Sequence, residues 1–314
     1  MDFGVCFKNL NTNSCLRSDV PKLTKKEPCI LGIDEAGRGP VLGPMVYSVA
    51  YIPASMKGQM KEIGFADSKT LTEEKRTDLF ENINSGKISN VQLGWIADVL
   101  SPVTISNSML KRCKYNLNAL SHDTAMGLIS KVIESGVRVK EVYIDTVGPP
   151  EKYKAKVEEK FPQIKVTVAK KADSTYPIVS AASICAKVIR DKIVSEWKFP
   201  EGLDHLKTLE YGSGYPSDPT TKEFLKKAFE PVFGFPSFVR FSWSTIKTIM
   251  VEKGVECCWE EEEDDNEDVK GNKSILEFFS KNNGDNSDTK KVIKKRKSHR
   301  FFTDRCLERV GTFL

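Results

Sequence analysis

Gly32-Ile-Asp-Glu-Ala-Gly-Arg-Gly-Pro40, continuing through Val41-Leu-Gly-Pro-Met45, decides how the rest of the chain is read. The apolar residues Cys29, Ile30, Leu31 and Ile33 lead into it and read as a buried strand. The adjacent acids Asp34 and Glu35 stand at the end of that strand. Two carboxylates so close are costly to bury as anions, because each raises the other's pKa unless a cation neutralises them. Gly37 and Gly39 leave room for close backbone approach or a positive φ. The loop matches neither familiar phosphate cradle. No Lys-Ser/Thr follows the glycines, and Gly37-Arg38-Gly39 lacks the third glycine of a dinucleotide loop. Carboxylates beside it would repel a phosphate, and a divalent metal held between acids and phosphate resolves that conflict.

Two further acids occupy similar places. Asp145 ends the short apolar run Val142-Tyr-Ile144, and Asp173 lies between an alternating segment (Ile164, Val166, Val168) and a helical one. Ligands of α/β sheets gather at strand ends, and four acids converging there could hold two magnesium or manganese ions through oxygen alone. Spacing by itself leaves the alternative open that Asp145 is a turn residue and Asp173 a helix cap.

From residue 28 to about residue 250 strand-like and helix-like stretches interleave, which indicates an α/β domain with a mixed sheet. Strands are expected at 41–52, 91–97 and 142–144. Helices are expected after the capping-box spacing of Thr70-Leu-Thr-Glu73, over 115–135, from Gly148-Pro-Pro150 to about residue 160, and over 176–197. The last of these is apolar on most sides and therefore largely buried. A helical stretch over 220–250, rich in aromatics, is expected to close the domain. Residues 1–27 read as an N-terminal extension. Past residue 250 the composition changes: Glu260-Glu-Glu-Glu-Asp-Asp265 is an acidic block, and residues 290–300 are strongly basic. The segments 251–300 and 301–314 are read as a flexible tail followed by an amphipathic docking element.

The 314 residues carry a net charge of +5, a hydrophobic content of 39% and a mean hydropathy of −0.36. No apolar run approaches the roughly 20 residues that span a bilayer, so no membrane partner is expected. Eight cysteines include no C-x-x-C pair, and the three histidines are far apart. Reduced thiols are expected, and zinc chemistry is not.

Several of these segments together resemble type 2 ribonuclease H (the ribonuclease HII family), in particular its eukaryotic catalytic subunits. They are Gly32–Pro40, Ala66-Asp-Ser-Lys69, Tyr143-Ile-Asp-Thr-Val147, Lys171-Ala-Asp173 with Ser180-Ala-Ala-Ser-Ile184, and Gly212-Ser-Gly-Tyr-Pro216; Ser298-His-Arg-Phe-Phe302 resembles the family's C-terminus. The resemblance implies an RNase H-like mixed β-sheet flanked by helices with a helical C-terminal extension, and Asp34, Glu35, Asp145 and Asp173 as catalytic ligands of two divalent cations, Mg or Mn. It implies cleavage of RNA in RNA/DNA hybrids and on the 5′ side of ribonucleotides embedded in duplex DNA, with roles in replication and repair. Only the 2′-hydroxyl separates RNA from DNA at one nucleotide, and the family assigns that reading to Gly37, Arg38 and Gly39. Tyr215 resembles the tyrosine that packs on the following deoxyribose. Lys69 and Arg190 are candidate phosphate contacts, with an ion pair to Asp191 or Glu196 as the alternative for Arg190. A non-catalytic hybrid-binding subunit is the competing reading, and the intact set of four acids argues against it.

In the tail, Asn272-Lys-Ser-Ile-Leu-Glu-Phe-Phe279 resembles the box that docks replication proteins on the sliding clamp, presenting Ile275, Phe278 and Phe279 to a groove. Packing against the core or an accessory subunit is the alternative. Phe302, Leu307 and Val310 follow helical spacing, and the family suggests two accessory subunits in a heterotrimer. Lys294-Lys-Arg-Lys297 looks like a nuclear-import patch or a solvated basic stretch.

Overall fold

The computed structural model describes residues 3–61, 65, 71–85, 92–111 and 115–255. Six strands form one sheet: β1 Ser14–Arg17, β2 Cys29–Ala36, β3 Met45–Pro53, β4 Gly94–Leu100, β5 Val139–Asp145 and β6 Lys165–Ala169. Their order across the sheet is β1-β4-β3-β2-β5-β6. The pairs β1–β4, β4–β3 and β3–β2 are antiparallel, whereas β2–β5 and β5–β6 are parallel. The mixed sheet expected from the sequence is therefore present.

The helices are α1 Gly4–Lys8, α2 Glu73–Ser85, α3 Pro102–Leu110, α4 Leu117–Glu134, α5 Pro150–Lys160, α6 Ala172–Thr175, α7 Pro177–Ser195, α8 Pro219–Ala228 and α9 Ser244–Lys253. One core, against α7, gathers Val179, Ala182 and Ile189 with Phe80 of α2 and Phe224 of α8. The other lies under α4 and α5 and includes Leu128, Ile129 and Tyr153. A sheet covered on both faces explains why β2 and β3 read as continuous apolar runs instead of alternating ones. None of the described helices is long and apolar enough to cross a membrane.

Some boundaries differ from expectation for identifiable reasons. β3 begins at Met45, because Gly43-Pro44 interrupts the run that starts at Val41. The helix α2 is capped by Thr72, whose hydroxyl accepts the Lys75 N–H at 3.3 Å. The closing stretch is two helices, with Pro231, Gly234 and Pro236 keeping the intervening residues irregular. Within residues 1–27, Ser14–Arg17 joins the sheet as its edge strand on β4. Among the aromatics expected in the core, Phe224, Phe235 and Phe238 are buried, but Phe233 is 84% exposed. Cys6, Cys15, Cys29 and Cys185 are free thiols.

Candidate active site

Parallel pairing of β2 with β5 aligns Ile33 with Ile144, so the next residues, Asp34 and Asp145, emerge side by side at one edge of the sheet. Asp173 enters from α6, in the connection between β6 and α7. Asp34 and Asp173 are buried, and Glu35 and Asp145 are half-buried. Burial pushes the Asp34 carboxyl up to about 7, with the Asp145 and Asp173 charges adding to the rise and a hydrogen bond from Ser183 opposing it. Burial likewise raises Glu35 to about 8, reinforced by Asp34 and Asp145 and opposed by Arg38. All four expected acids thus share one electrostatic neighbourhood.

Their oxygens are engaged locally. Asp34 Oδ1 accepts the Glu35 N–H at 2.8 Å, and Asp145 Oδ1 accepts the N–H groups of Thr146 and Ala172, both at 3.0 Å. Among the described residues, no three His, Cys, Asp or Glu side chains are grouped so that they already enclose an ion. The donor chemistry nonetheless suits a hard divalent cation, since it is oxygen only. Crowded, buried carboxylates with raised pKa values are the groups that a bound cation would relieve.

The Gly37-Arg38-Gly39 loop sits beside these acids and is fixed from behind. Gly37 has φ +78°, and a Cβ there would lie 2.1 Å from Arg190 Nε and 2.8 Å from the Pro44 carbonyl oxygen. At Gly39 a Cβ would meet Tyr215 Cε1 at 2.7 Å, so the tyrosine ring lies directly on that backbone. Arg38 Nη2 donates to Asn118 Oδ1 on α4. Arg240, fully buried, donates from Nη2 to the Gly37 carbonyl (2.6 Å), from Nη1 to that of Arg38 (3.1 Å) and from Nε to that of Gly43 (2.8 Å). Trp243 Nε1 donates to the Gly39 carbonyl at 3.0 Å, and the Arg240 guanidinium packs 4.9 Å from its ring centre. A planar trans peptide carries its C=O and N–H on opposite sides. Tying back four loop carbonyls therefore also sets the directions of the N–H groups that follow them.

Arg190 is largely buried against Gly37, and its Nη1 lies 3.6 Å from Asp191 Oδ1. That placement favours support of the loop over reaching a phosphate. Glu196 pairs instead with Lys192. Tyr215 is 48% exposed. Lys69, Ile275, Phe278, Phe279, Phe302, Leu307 and Val310 lie outside the described residues. Sequence reading missed Arg240, Trp243 and Asn118. A lone arginine in the aromatic run Phe238-Val-Arg-Phe-Ser-Trp243 was the signal available for the first two.

Comparison with known proteins identifies a family for the chain. The family model described as Ribonuclease HII matches residues 31–246. The A subunit of ribonuclease H2 from Homo sapiens is 51% identical over 299 residues, covering 95% of both chains. The crystal structure of the ribonuclease H2 from Pyrococcus horikoshii OT3 matches with a TM-score of 0.58 at 32% identity, covering 71% of this chain and 98% of that one. RNase HII from Archaeoglobus fulgidus, solved in complex with PCNA, matches with a TM-score of 0.57 at 30% identity, covering 68% and 95%.

Proposed function

The chain belongs to the ribonuclease HII family and is a ribonuclease H, an endoribonuclease acting on RNA/DNA hybrids, and we propose that it also cuts 5′ to ribonucleotides embedded in duplex DNA, using two divalent cations, Mg2+ or Mn2+, held by Asp34, Glu35, Asp145 and Asp173. The observation that carries this reading is the meeting of four mutually repelling acids with a glycine loop whose carbonyls are all held by Arg240 and Trp243. Asp34, Glu35, Asp145 and Asp173 would hold these ions, whose chemistry would be to acidify an attacking water and to offset charge on the leaving 3′ oxygen, consistent with 5′-phosphate and 3′-hydroxyl ends. The carboxylates hold those charges in place, and the loop's peptide groups read the 2′-hydroxyl. Neither histidine nor serine is needed as a nucleophile.

Metal binding has a readout independent of turnover. Asp34 and Glu35 keep their protons to higher pH when folded than an ordinary carboxylate does. Without metal, folded stability should therefore fall as pH rises from about 4 to about 8, where the unfolded chain has released those protons and the folded one has not. Ion binding needs the ionised carboxylates. At one fixed Mg2+ concentration, about 100 times the Kd at pH 8, the melting temperature should rise by roughly 5–10 °C at pH 8 and by less at pH 6. A rise that is equal at both pH values, and that persists in Asp34→Asn/Asp145→Asn, would count against the ligand assignment.

Tyr215, lying over Gly39, is read as the residue that packs on the deoxyribose following an isolated ribonucleotide. Tyr215→Ala should lower cleavage of duplex DNA carrying one ribonucleotide by about tenfold or more, a stacking contact being worth about 1–3 kcal/mol. A long hybrid offers many scissile positions and should lose much less. Equal losses on both substrates would make the tyrosine structural only. The same pair of substrates, assayed with and without Mg2+, tests the whole reading: no Mg2+-dependent cut at the single ribonucleotide would overturn it.

The relatives are named as one subunit of ribonuclease H2, which supports accessory subunits for this chain, and residues 301–314 are the segment proposed to dock them. Deleting 301–314 should abolish copurification of such partners while the isolated chain melts within about 2 °C of the intact one; a large drop would put the segment on the chain's own domain. The archaeal relative solved with PCNA supports the sliding clamp as a partner of the 272–279 box, through Ile275, Phe278 and Phe279. Ile275→Ala combined with Phe278→Ala should then end capture on immobilised clamp. A nuclear location is proposed from Lys294-Lys-Arg-Lys297, and a reporter fused to residues 290–300 that stays cytoplasmic would refute it.

A further inference from the structure

We propose that Asp218 and Thr221, at the start of α8, are positioning residues for Tyr215: they hold the 211–215 loop so that the tyrosine ring rests on the Gly39 backbone, and they thereby set the preference for a single embedded ribonucleotide over a long hybrid. This rests on the reading of Tyr215 as the sugar-packing residue.

The loop from Tyr211 to Tyr215 is neither helix nor strand, and two of its five residues have positive φ (Gly212 +64°, Gly214 +76°). Its conformation must therefore come from hydrogen bonds outside regular structure. Those bonds converge on two side chains. Asp218 Oδ2 accepts both the Ser213 N–H (2.5 Å) and the Ser213 hydroxyl (2.6 Å), while Oδ1 accepts the Thr220 N–H at 2.9 Å and caps α8. Thr221 is fully buried, and its Oγ1 donates to the Tyr211 carbonyl (2.8 Å) while accepting the Gly214 N–H (2.9 Å). One hydroxyl thus fixes both ends of the glycine-containing segment. The main chain finishes the frame: the Gly214 carbonyl accepts the Val41 N–H at 2.8 Å, and the Tyr215 carbonyl accepts the Asp218 N–H at 3.1 Å.

The ring itself is half-exposed, so its direction depends on the backbone that carries it. A tyrosine that must meet one sugar gains from such pre-organisation, because the ordering is done before the substrate arrives. On a uniform hybrid many registers are productive, and a wandering ring costs little.

The test uses the full chain and compares kcat/KM on duplex DNA with one ribonucleotide and on a uniform RNA/DNA hybrid. Thr221→Val keeps the shape and removes both hydrogen bonds. Thr221→Ser keeps the hydroxyl. Asp218→Asn still caps α8, since Asn serves as well as Asp at that position, but turns an amide donor toward the Ser213 donors. Thr221→Val and Asp218→Asn should each lower the single-ribonucleotide to hybrid ratio on the order of tenfold, while hybrid cleavage falls less than about threefold. Thr221→Ser should restore the ratio. Should Thr221→Val fail to fold, Asp218→Asn and Thr221→Ser carry the test. An unchanged ratio in Asp218→Asn, or a Thr221→Ser as defective as Thr221→Val, overturns the proposal. Tyr215→Ala run alongside separates the two levels. If it lowers the ratio and the α8 variants do not, only the positioning role fails; if it does not, the reading of Tyr215 fails and takes this proposal with it.

Discussion

Asp34→Asn and Asp145→Asn should each cut turnover on an RNA/DNA hybrid on the order of a hundred- to a thousand-fold, with hybrid binding within a few-fold of the unaltered chain. The magnitude follows from losing several kcal/mol of charge stabilisation at the reacting phosphate, at 1.36 kcal/mol per factor of ten. Binding survives because most of it comes from contacts to the nucleic-acid backbone that these acids do not make. The variants also carry a built-in control for folding. In Asp34→Asn the amide oxygen can still accept the N–H that Asp34 accepts from Glu35 at 2.8 Å, and the change removes a carboxylate that burial and two neighbouring acids disfavour. The melting temperature of Asp34→Asn should therefore equal or exceed that of the parent in the absence of metal. Near-normal turnover in both variants would remove the assignment of these acids, and a loss of activity accompanied by early melting would assign them to the fold.

Arg240→Leu should damage fold and activity together. The side chain is fully buried, and its three donors satisfy the carbonyls of Gly37, Arg38 and Gly43. Leucine leaves those carbonyls without their donors and frees the loop that they belong to. Leaving carbonyls of this kind unsatisfied costs about 1–3 kcal/mol each, so roughly 3 kcal/mol or more in all, which for a domain of this size lowers the melting temperature by about 6 °C or more. Cleavage, measured at a temperature where the variant is still folded, should fall by at least about tenfold if the loop has the proposed role of reading the 2′-hydroxyl, because it then leaves its fixed conformation for others. Arg240→Lys keeps the charge but lacks the planar fork that reaches three acceptors, and should lie between the two. A leucine variant that melts within about 2 °C of the parent and cleaves normally would show that the loop holds its shape without this arginine.

Trp243 belongs to the same device, and its contribution is separable in principle. Its indole N–H holds the Gly39 carbonyl while its ring receives the Arg240 guanidinium. The two side chains are three residues apart in sequence, yet between them they bind carbonyls about 200 positions earlier in the chain. Tyr215 packs on the same loop at Gly39. The short Gly37-Arg38-Gly39 segment is thus held from four distant parts of the chain: Arg240 with Trp243, Tyr215, Asn118 of α4 on the Arg38 side chain, and Arg190 of α7 under Gly37.

Much of the fold was legible because its signals are local. The apolar run of β2 ending in Asp34 and Glu35, the alternation that places β6 and the apolar length of α7 are patterns within about 20 residues. The chemistry was readable only in part from residue type. Asp34 and Glu35 beside a glycine loop suggested a metal, whereas Asp145 and Asp173 stayed open by spacing. The reaction was legible only through the resemblance of several motifs to one family. The edge strand β1 was not, since Ser14-Cys-Leu-Arg17 is short and half exposed, and only its pairing with β4 makes it a strand. Nor was the helix break over 229–243, where prolines and glycine outweigh an aromatic-rich composition. The sequence, then, carried the layered α/β plan in its local patterns and the reaction class in its resemblance to a family, and it offered the acids beside the glycine loop as candidates. The tertiary structure alone decided that Arg240 and Trp243 tie back the loop, that Arg190 supports Gly37, and that Asp218 and Thr221 frame Tyr215. The reason is that these side chains act on main-chain carbonyls and N–H groups, which every residue carries alike, so no residue type marks the partner until the fold brings the two together.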